Sequence, residues 1–374
     1  MAQGRIIPMV DMARLFAKRG VLATIITTPF NAARMKTTVD QVIESGLPIQ
    51  QIQLPFPSRE AGLPDGCENF DSIPSLARLA RKTSRTVLRR DSACPKLYNF
   101  RYVPPMDNED SPQTRDTKAC VPGRCCFALL FAHNLHQYRP FESVASEHEP
   151  FVVLGLHHRI EITKAQCPIE IVGQSYFDIL SNRIQEADCT SYGVVSNSFY
   201  ELEPDELEPE YVEKYQKAIG KKVWTIGPVS LCNKETSDKA ARGNKASISE
   251  SQCLTWLNSK EENYVVYACF GSASYVFPSQ LMEIGLGLEA SNQPFIWVIR
   301  RSNDMSTEVE NWLDGLVERV QARSLIIRGW APQMLILSHP VIGGFLTHCG
   351  WNSTSEGICA GVQMVTLPIF SEQF

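Results

Sequence analysis

The stretch VIGGFLTHCGWNSTSEGICAG, residues 341–361, changes its period halfway along. VIGGFLTHC (341–349) is an apolar run of strand length, and STSEGICAG (353–361) has helical character. Between them Gly350 permits a close turn, and Asn352 and Ser353 are helix-capping residue types. The reading is strand, tight turn, helix start. A helix begun this way offers free N–H groups and the positive end of its dipole, a seat for a diphosphate. His348 and Ser353 add side-chain donors there. Glu356 falls one turn into the helix, where a carboxylate can accept both hydroxyls of a ribose. Upstream, Trp330 opens a loop and presents a flat face to a base. Each residue alone has a plainer reading: Trp330 as core, His348 as a satisfied buried histidine, Glu356 as a solvated helix residue. What changes the odds is their joint spacing.

Outward from this stretch the same rhythm continues. GVVSNSF (193–199), YVVYACF (264–270), PFIWVIR (294–300), SLIIRGW (324–330) and VQMVTLPI (362–369) read as strands, with helical segments such as PSQLMEIGLGLEAS (278–291) between them. Near the N-terminus, Met9, Met12, Ala13 and Phe16 lie at helical spacing before Gly20. VLATIITT (21–28) reads as a buried strand. Asn31 is placed to cap a helix running to about Ser45, with Gly46 beyond, and Ile49–Leu54 is a further strand. Strands alternating with helices predict an α/β fold of parallel sheet with helices on both faces. The polar stretch 230–249, SLCNKETSDKAARGNKASIS, reads as an interdomain linker. It would divide an N-terminal domain, 1–229, from a C-terminal domain, 250–374.

The chain has 374 residues, a length that suggests two domains. It is 44% hydrophobic and 21% charged, which excludes a disordered chain, a coiled coil and a collagen-like fibre. A net charge of −5 argues against a nucleic-acid partner. No apolar run reaches the roughly 18 residues of a membrane span, and the charged start, with Arg5, Asp11 and Arg14, does not read as a signal peptide. The expectation is a cytoplasmic protein with reduced thiols. Its 12 cysteines are scattered and contain no C-x-x-C pair, so neither a zinc ribbon nor a thioredoxin-like site is supported.

Residues 75–124 break the pattern, with eleven Lys or Arg against five Asp or Glu. Beyond about Arg90 no helical or strand period is visible. A poorly ordered insertion, or sequence never selected to fold, is the preferred reading; a basic patch for an anionic partner is the other.

The 44 residues from Trp330 to Gln373 resemble the signature box of the plant secondary-product UDP-glycosyltransferases, family 1 glycosyltransferases. WAPQ at 330–333, HCGWNS at 348–353, Glu356 and Glu372–Gln373 stand where that box has them. Gln363 departs from it, the box having proline there. The resemblance extends over MAQGRIIPMVDMARLFAKRG, GLPIQQIQLPFP, SYGVVSNSFYELEP, VWTIGPVSLCNK and FGSASYVFPSQLMEIGLGLE, or roughly 1–75 and 125–374. It implies a GT-B fold of two facing Rossmann-like domains, the N-terminal one for the acceptor and the C-terminal one for the UDP-sugar. By the same resemblance Trp330 would stack on uracil. Ala331 and Gln333 would contact base or ribose, and Glu356 would hold the ribose hydroxyls. Ser272, His348, Asn352 and Ser353 would bind the diphosphate, and Trp351, Glu372 and Gln373 the sugar. The terminal Gln of the box goes with glucose donors, so UDP-glucose is the expected donor. The acceptor would be a small hydrophobic hydroxyl compound such as a flavonoid, terpenoid or hormone. No cofactor and no metal are expected, and the protein would act as a monomer.

The resemblance also marks a departure. The family's general base is a histidine in a G-H-x-x-P context; here the context is Gly4-Arg5-Ile6-Ile7-Pro8, and Arg5 takes the slot. Arginine, with a pKa above about 12, cannot accept a proton. The aspartate that would orient the base falls in the region matching 90–123, where the resemblance is lost; Asp107 is not read as its equivalent. The family's strand before MAQG and its helices after Gln373 are expected to be missing, as in a fragmentary or disrupted gene model. Two readings stay open: an impaired glucosyltransferase, and a non-catalytic remnant that still binds UDP. A Rossmann oxidoreductase is disfavoured, because no G-x-G-x-x-G follows a strand and GLGLEA (285–290) falls mid-helix.

Overall fold

The computed structural model describes residues 3–56, 68, 119–120, 125–167, 192–202, 208–272, 276–300, 306–369 and 373. The N-terminal half runs α1 (Gln3–Ala17), β1 (Ala23–Thr27), α2 (Pro29–Glu44), β2 (Ile49–Gln53), β3 (Ala119–Cys120), α3 (Cys126–Tyr138), β4 (Pro150–Val152), β5 (Glu161–Thr163), β6 (Gly193–Ser196), α4 (Glu208–Ile219) and β7 (Lys222–Thr225). The C-terminal half follows with α5 (Thr236–Ala241), α6 (Glu250–Asn258), β8 (Val265–Cys269), α7 (Pro278–Ala290), β9 (Phe295–Ile299), α8 (Thr307–Val320), β10 (Ser324–Arg328), α9 (Gln333–Leu337), β11 (Ile342–Thr347), α10 (Trp351–Cys359) and β12 (Gln363–Thr366).

β8 to β12 form one parallel sheet in the order β10-β9-β8-β11-β12. Renumbered within the sheet this is 3-2-1-4-5, the doubly wound order, and its switch point lies between β8 and β11. The N-terminal half carries the parallel pair β1-β2, the parallel trio β3-β6-β7 and the antiparallel pair β4-β5. Among the described residues no helix is long and apolar enough to cross a membrane.

Period-two alternation along the strands feeds two core layers. Tyr267, Ile296, Ile327 and Phe345 pack on one face with Cys253 and Leu257 of α6 and Ile336 and Leu337 of α9. Ala268, Phe295, Trp297 and Ile299 pack on the other with Leu281 and Leu288 of α7 and Leu313 and Leu316 of α8. Burying each large side chain contributes about 1.5–3 kcal/mol over leaving it exposed. Gly343 sits at an irregularity of the β11–β8 register, where its bare Cα lies against the Asn263 backbone.

The expected elements are present, with shifted ends. Asn31 does not cap α2. The N-cap is Thr28, one residue before Pro29, and buried Asn31 donates from Nδ2 to the Thr28 Oγ1 (2.8 Å). Proline at the first helical position fixes the start earlier than the Asn signal implied. Gly350, and neither Asn352 nor Ser353, is the N-cap of α10. α1 also starts well before Met9 and carries Pro8 inside it. The basic segment 75–124, with Asp107, lies outside the described residues except for Ala119–Cys120, a short strand beside β6.

The GLGLEA stretch is mid-helix, in α7. A methyl on Gly285 would come within 2.6 Å of the Trp312 ring and 2.9 Å of Leu316, whereas Gly287 faces open space. Gly285→Ala is therefore expected to destabilise the fold by about 1–3 kcal/mol. Gly287→Ala is expected to stabilise it by about 0.4–1 kcal/mol. Thermal melts of the two variants should move in opposite directions from the parent.

Candidate nucleotide-sugar site

Of the residues singled out in the sequence, Ser272, His348, Asn352, Ser353 and Glu356 lie on the segments that leave the carboxyl ends of β8 and β11, while Trp330, Ala331 and Gln333 follow β10. Thr347 of β11 pairs with Cys269 of β8, so the loops leaving both strands emerge side by side. One carries Gly271 and Ser272, the other His348, Cys349 and Gly350. The buried His348 ring is held between Gly271 and Gly350; a methyl on either would overlap its Nε2 edge. Gly271 has φ +72°, which favours glycine independently. Cys349 has φ +65° and turns the chain into α10, whose first-turn N–H groups face the same place.

One turn on, Ser353 and Glu356 are both buried. Gln333, at the start of α9, donates from Nε2 to the Glu356 Oε2 (2.9 Å) and the Ser353 Oγ (3.1 Å). Its own Oε1 accepts from the Tyr267 hydroxyl (3.3 Å). Burial holds the Tyr267 pKa well above the usual phenol value, so the hydroxyl stays a donor and fixes which end of the Gln333 amide faces Glu356. Ala331 is buried, and its carbonyl accepts the Gln333 N–H (2.9 Å). Trp330 exchanges backbone contacts with Ser247: the Ser247 N–H donates to the Trp330 carbonyl (2.8 Å) and the Trp330 N–H to the Ser247 Oγ (3.1 Å). Gly243 lies against the Trp330 ring.

The N-terminal half closes on this set at two points. The Trp351 indole N–H donates to the Asn197 carbonyl after β6 (2.5 Å). Asn352 Nδ2 donates to the Gly4 carbonyl in the first turn of α1. That second contact follows from the sequence, since Pro8 has no N–H to offer the carbonyl four residues back. It brings the backbone at position 5 beside the start of α10; the Arg5 side chain lies outside the described residues, as does Glu372. Gln373 Oε1 accepts from the Ile369 N–H (3.0 Å), so its side-chain oxygen turns back on the strand-end loop.

A buried ion cluster completes the arrangement, and sequence reading did not anticipate it. Arg242, just after α5, donates from Nε and Nη2 to the Asp11 Oδ2 (2.9 and 2.8 Å) and from Nη1 to the Glu356 Oε1. All three residues are 8% exposed or less. Burial works against the Arg242 charge, but the two carboxylates outweigh it and raise the guanidinium pKa above its ordinary value. The available signal was Asp11, the one acid in the α1 sequence. Around the site Gln3 Nε2, Trp330 Nε1 and Asn352 Oδ1 are buried without a partner among the described residues.

A doubly wound sheet with this donor-rich switch point, facing parallel sheet from the other half of the chain, defines a GT-B nucleotide-sugar transferase. Comparison with known proteins gives the family. Residues 201–374 match the model described as UDP-glucoronosyl and UDP-glucosyl transferase. UDP-glycosyltransferase 73C1 of Arabidopsis thaliana is 46% identical over 386 residues, covering 100% of this chain and 77% of that protein. UDP-glycosyltransferase 73C12 of Barbarea vulgaris matches at the same identity and coverage. The crystal structure of Glycyrrhiza uralensis UGT73P12, complexed with glycyrrhetinic acid 3-O-monoglucuronide, has TM-score 0.75 at 32% identity, covering 100% of this chain and 76% of that one. Os79 of O. sativa, in complex with UDP, shares the fold with TM-score 0.65 at 23% identity, covering 100% of this chain and 81% of that one. The chain belongs to the plant UDP-glycosyltransferase family.

Gly350 has φ −62°, open to any residue, so Gly350→Ala isolates the overlap with His348. It is expected to weaken UDP binding at least about tenfold, or ~1.4 kcal/mol, and, because the displaced His348 ring is buried, to lower the melting temperature as well. Calorimetry and a thermal melt on the same sample check both.

Proposed function

We propose that this chain is a UDP-glucose-dependent O-glucosyltransferase by descent, with the 44-residue donor box complete and an impaired proton-abstracting position. The observation that carries the reading is that Gln333, three residues after Trp330, meets Ser353 and Glu356 on the helix that follows His348 at the β8/β11 switch point. Uracil would lie against Trp330 and Ala331, and the ribose hydroxyls would donate to Glu356. The diphosphate would sit at the start of α10 with Ser272, His348, Asn352 and Ser353. Trp351, Glu372 and Gln373 would meet the glucose. Helix dipole and His348 would stabilise the leaving diphosphate, so no metal enters the reading. The protein would act as a cytoplasmic monomer on a small hydrophobic hydroxyl compound of the flavonoid, terpenoid or hormone type.

The reaction joins the acceptor oxygen to the anomeric carbon as the bond to UDP breaks, with inversion, and the hydroxyl proton must pass to a base. A positioned base is worth roughly 10²–10⁴-fold in rate. Arg5 offers no lone pair for that proton, whereas it can hold an acceptor already ionised. The second reading, a remnant that binds UDP without turnover, rests on the same residue.

Two measurements test this reading. Calorimetry should detect UDP binding to the parent and at least about tenfold weaker binding to Glu356→Ala, with a melt to establish that both are folded. Product formation from UDP-glucose should be negligible with ordinary phenols and least impaired with acidic ones. Arg5→His should restore little alone, and orders of magnitude more when combined with a relative's version of 90–123. Robust turnover by the parent, with Arg5→Ala no slower, would show that another group is the base.

A further inference from the structure

We infer that Arg242 is a positioning residue for nucleotide recognition: it holds Glu356 in place for the ribose hydroxyls and is itself held by Asp11. The inference rests on the proposed ribose role of Glu356 and adds what sets that carboxylate's orientation. Asp11 takes two of the Arg242 donors on one oxygen, Nε at 2.9 Å and Nη2 at 2.8 Å, which fixes the plane of the guanidinium. In that plane Nη1 reaches the Glu356 Oε1. From the opposite side Gln333, oriented by Tyr267, reaches Oε2 at 2.9 Å. Each carboxylate oxygen therefore has one fixed donor and keeps a second acceptor direction, one for each ribose hydroxyl.

Charge requires the same arrangement. Asp11 comes from α1 and Glu356 from α10, both are buried, and Arg242 lies between them. Without the cation, two desolvated carboxylates would face each other, and Glu356 would turn away or lose its charge. The three residues belong to three separate parts of the chain. The nucleotide-facing carboxylate is thus aligned by a residue of the segment between the two sheets, and through it by the acceptor-side helix. Gly243, next in sequence, lies against the Trp330 ring, so the same short segment borders both the base and the ribose positions.

The readout is discrimination between UDP and 2′-deoxy-UDP, which differ only by a hydroxyl that Glu356 would accept. Calorimetry on the full chain compares the parent, Arg242→Gln, Arg242→Lys and Asp11→Asn. The parent should prefer UDP about tenfold or more. Arg242→Gln should bring the ratio to within about twofold, Arg242→Lys and Asp11→Asn falling between. A general loss of stability would lower both affinities together and leave the ratio unchanged. Should Arg242→Gln not fold, Arg242→Lys and Asp11→Asn carry the test. An unchanged ratio in the folded variants, or tighter UDP binding on loss of Arg242, overturns the inference and in the second case makes Arg242 a competitor for the seat. A parent that binds UDP and 2′-deoxy-UDP equally overturns the ribose reading of Glu356 itself.

Discussion

The pairing of β8 with β11 is the constraint on which the rest of the molecule depends. These strands are first and fourth in the chain order of their sheet, yet neighbours in space, with Cys269 opposite Thr347. A parallel sheet sends successive crossover helices to either side of such a pair, which leaves the carboxyl ends of the strands uncovered. Both loops then emerge side by side, and the His348 ring fits between Gly271 and Gly350 because neither carries a side chain. The aromatic layer beneath, with Tyr267 stacked on Phe345 at 5.1 Å, keeps the two strands in register and supplies the hydroxyl that orients Gln333.

A second level of organisation comes from the first helix. Pro8 withholds an N–H from Gly4, Asn352 takes up that carbonyl, and the start of α1 is drawn to the start of α10. Further along α1, Asp11 reaches Arg242 and, through it, Glu356. α1 thus reaches α10 at two places, the Asn352 side chain directly and Glu356 through Arg242. In the proposed reading these are the diphosphate and ribose ends of the donor seat.

The C-terminal sheet was readable from sequence because its strands are short apolar runs, separated by helical stretches such as 278–291 and 353–361. The box residues were readable because their spacing is tied to one strand–turn–helix unit. What was not readable was whatever depends on distant segments meeting. Arg242 sits in a polar stretch that looks solvated, and only the folded chain brings Asp11 and Glu356 to it. Tyr267 lies in a run read only as a strand; it is core, and its hydroxyl reaches the Gln333 amide. Helix starts were misplaced by two or three residues where Pro29 and Gly350 overrode the nearby Asn and Ser signals. The contribution of the basic stretch 75–124 rests on residues outside those described.

The central claim is that the β8/β11 switch point is a uridine diphosphate seat bordered by the 242–247 segment. Hydrogen–deuterium exchange with and without UDP tests it most directly, because it maps the site without requiring turnover. The account predicts added protection in peptides covering 270–272, 330–333 and 348–356, extending to 242–247 and the first turns of α1. Protection confined to other regions, or none at a UDP concentration that calorimetry shows to be saturating, would contradict it.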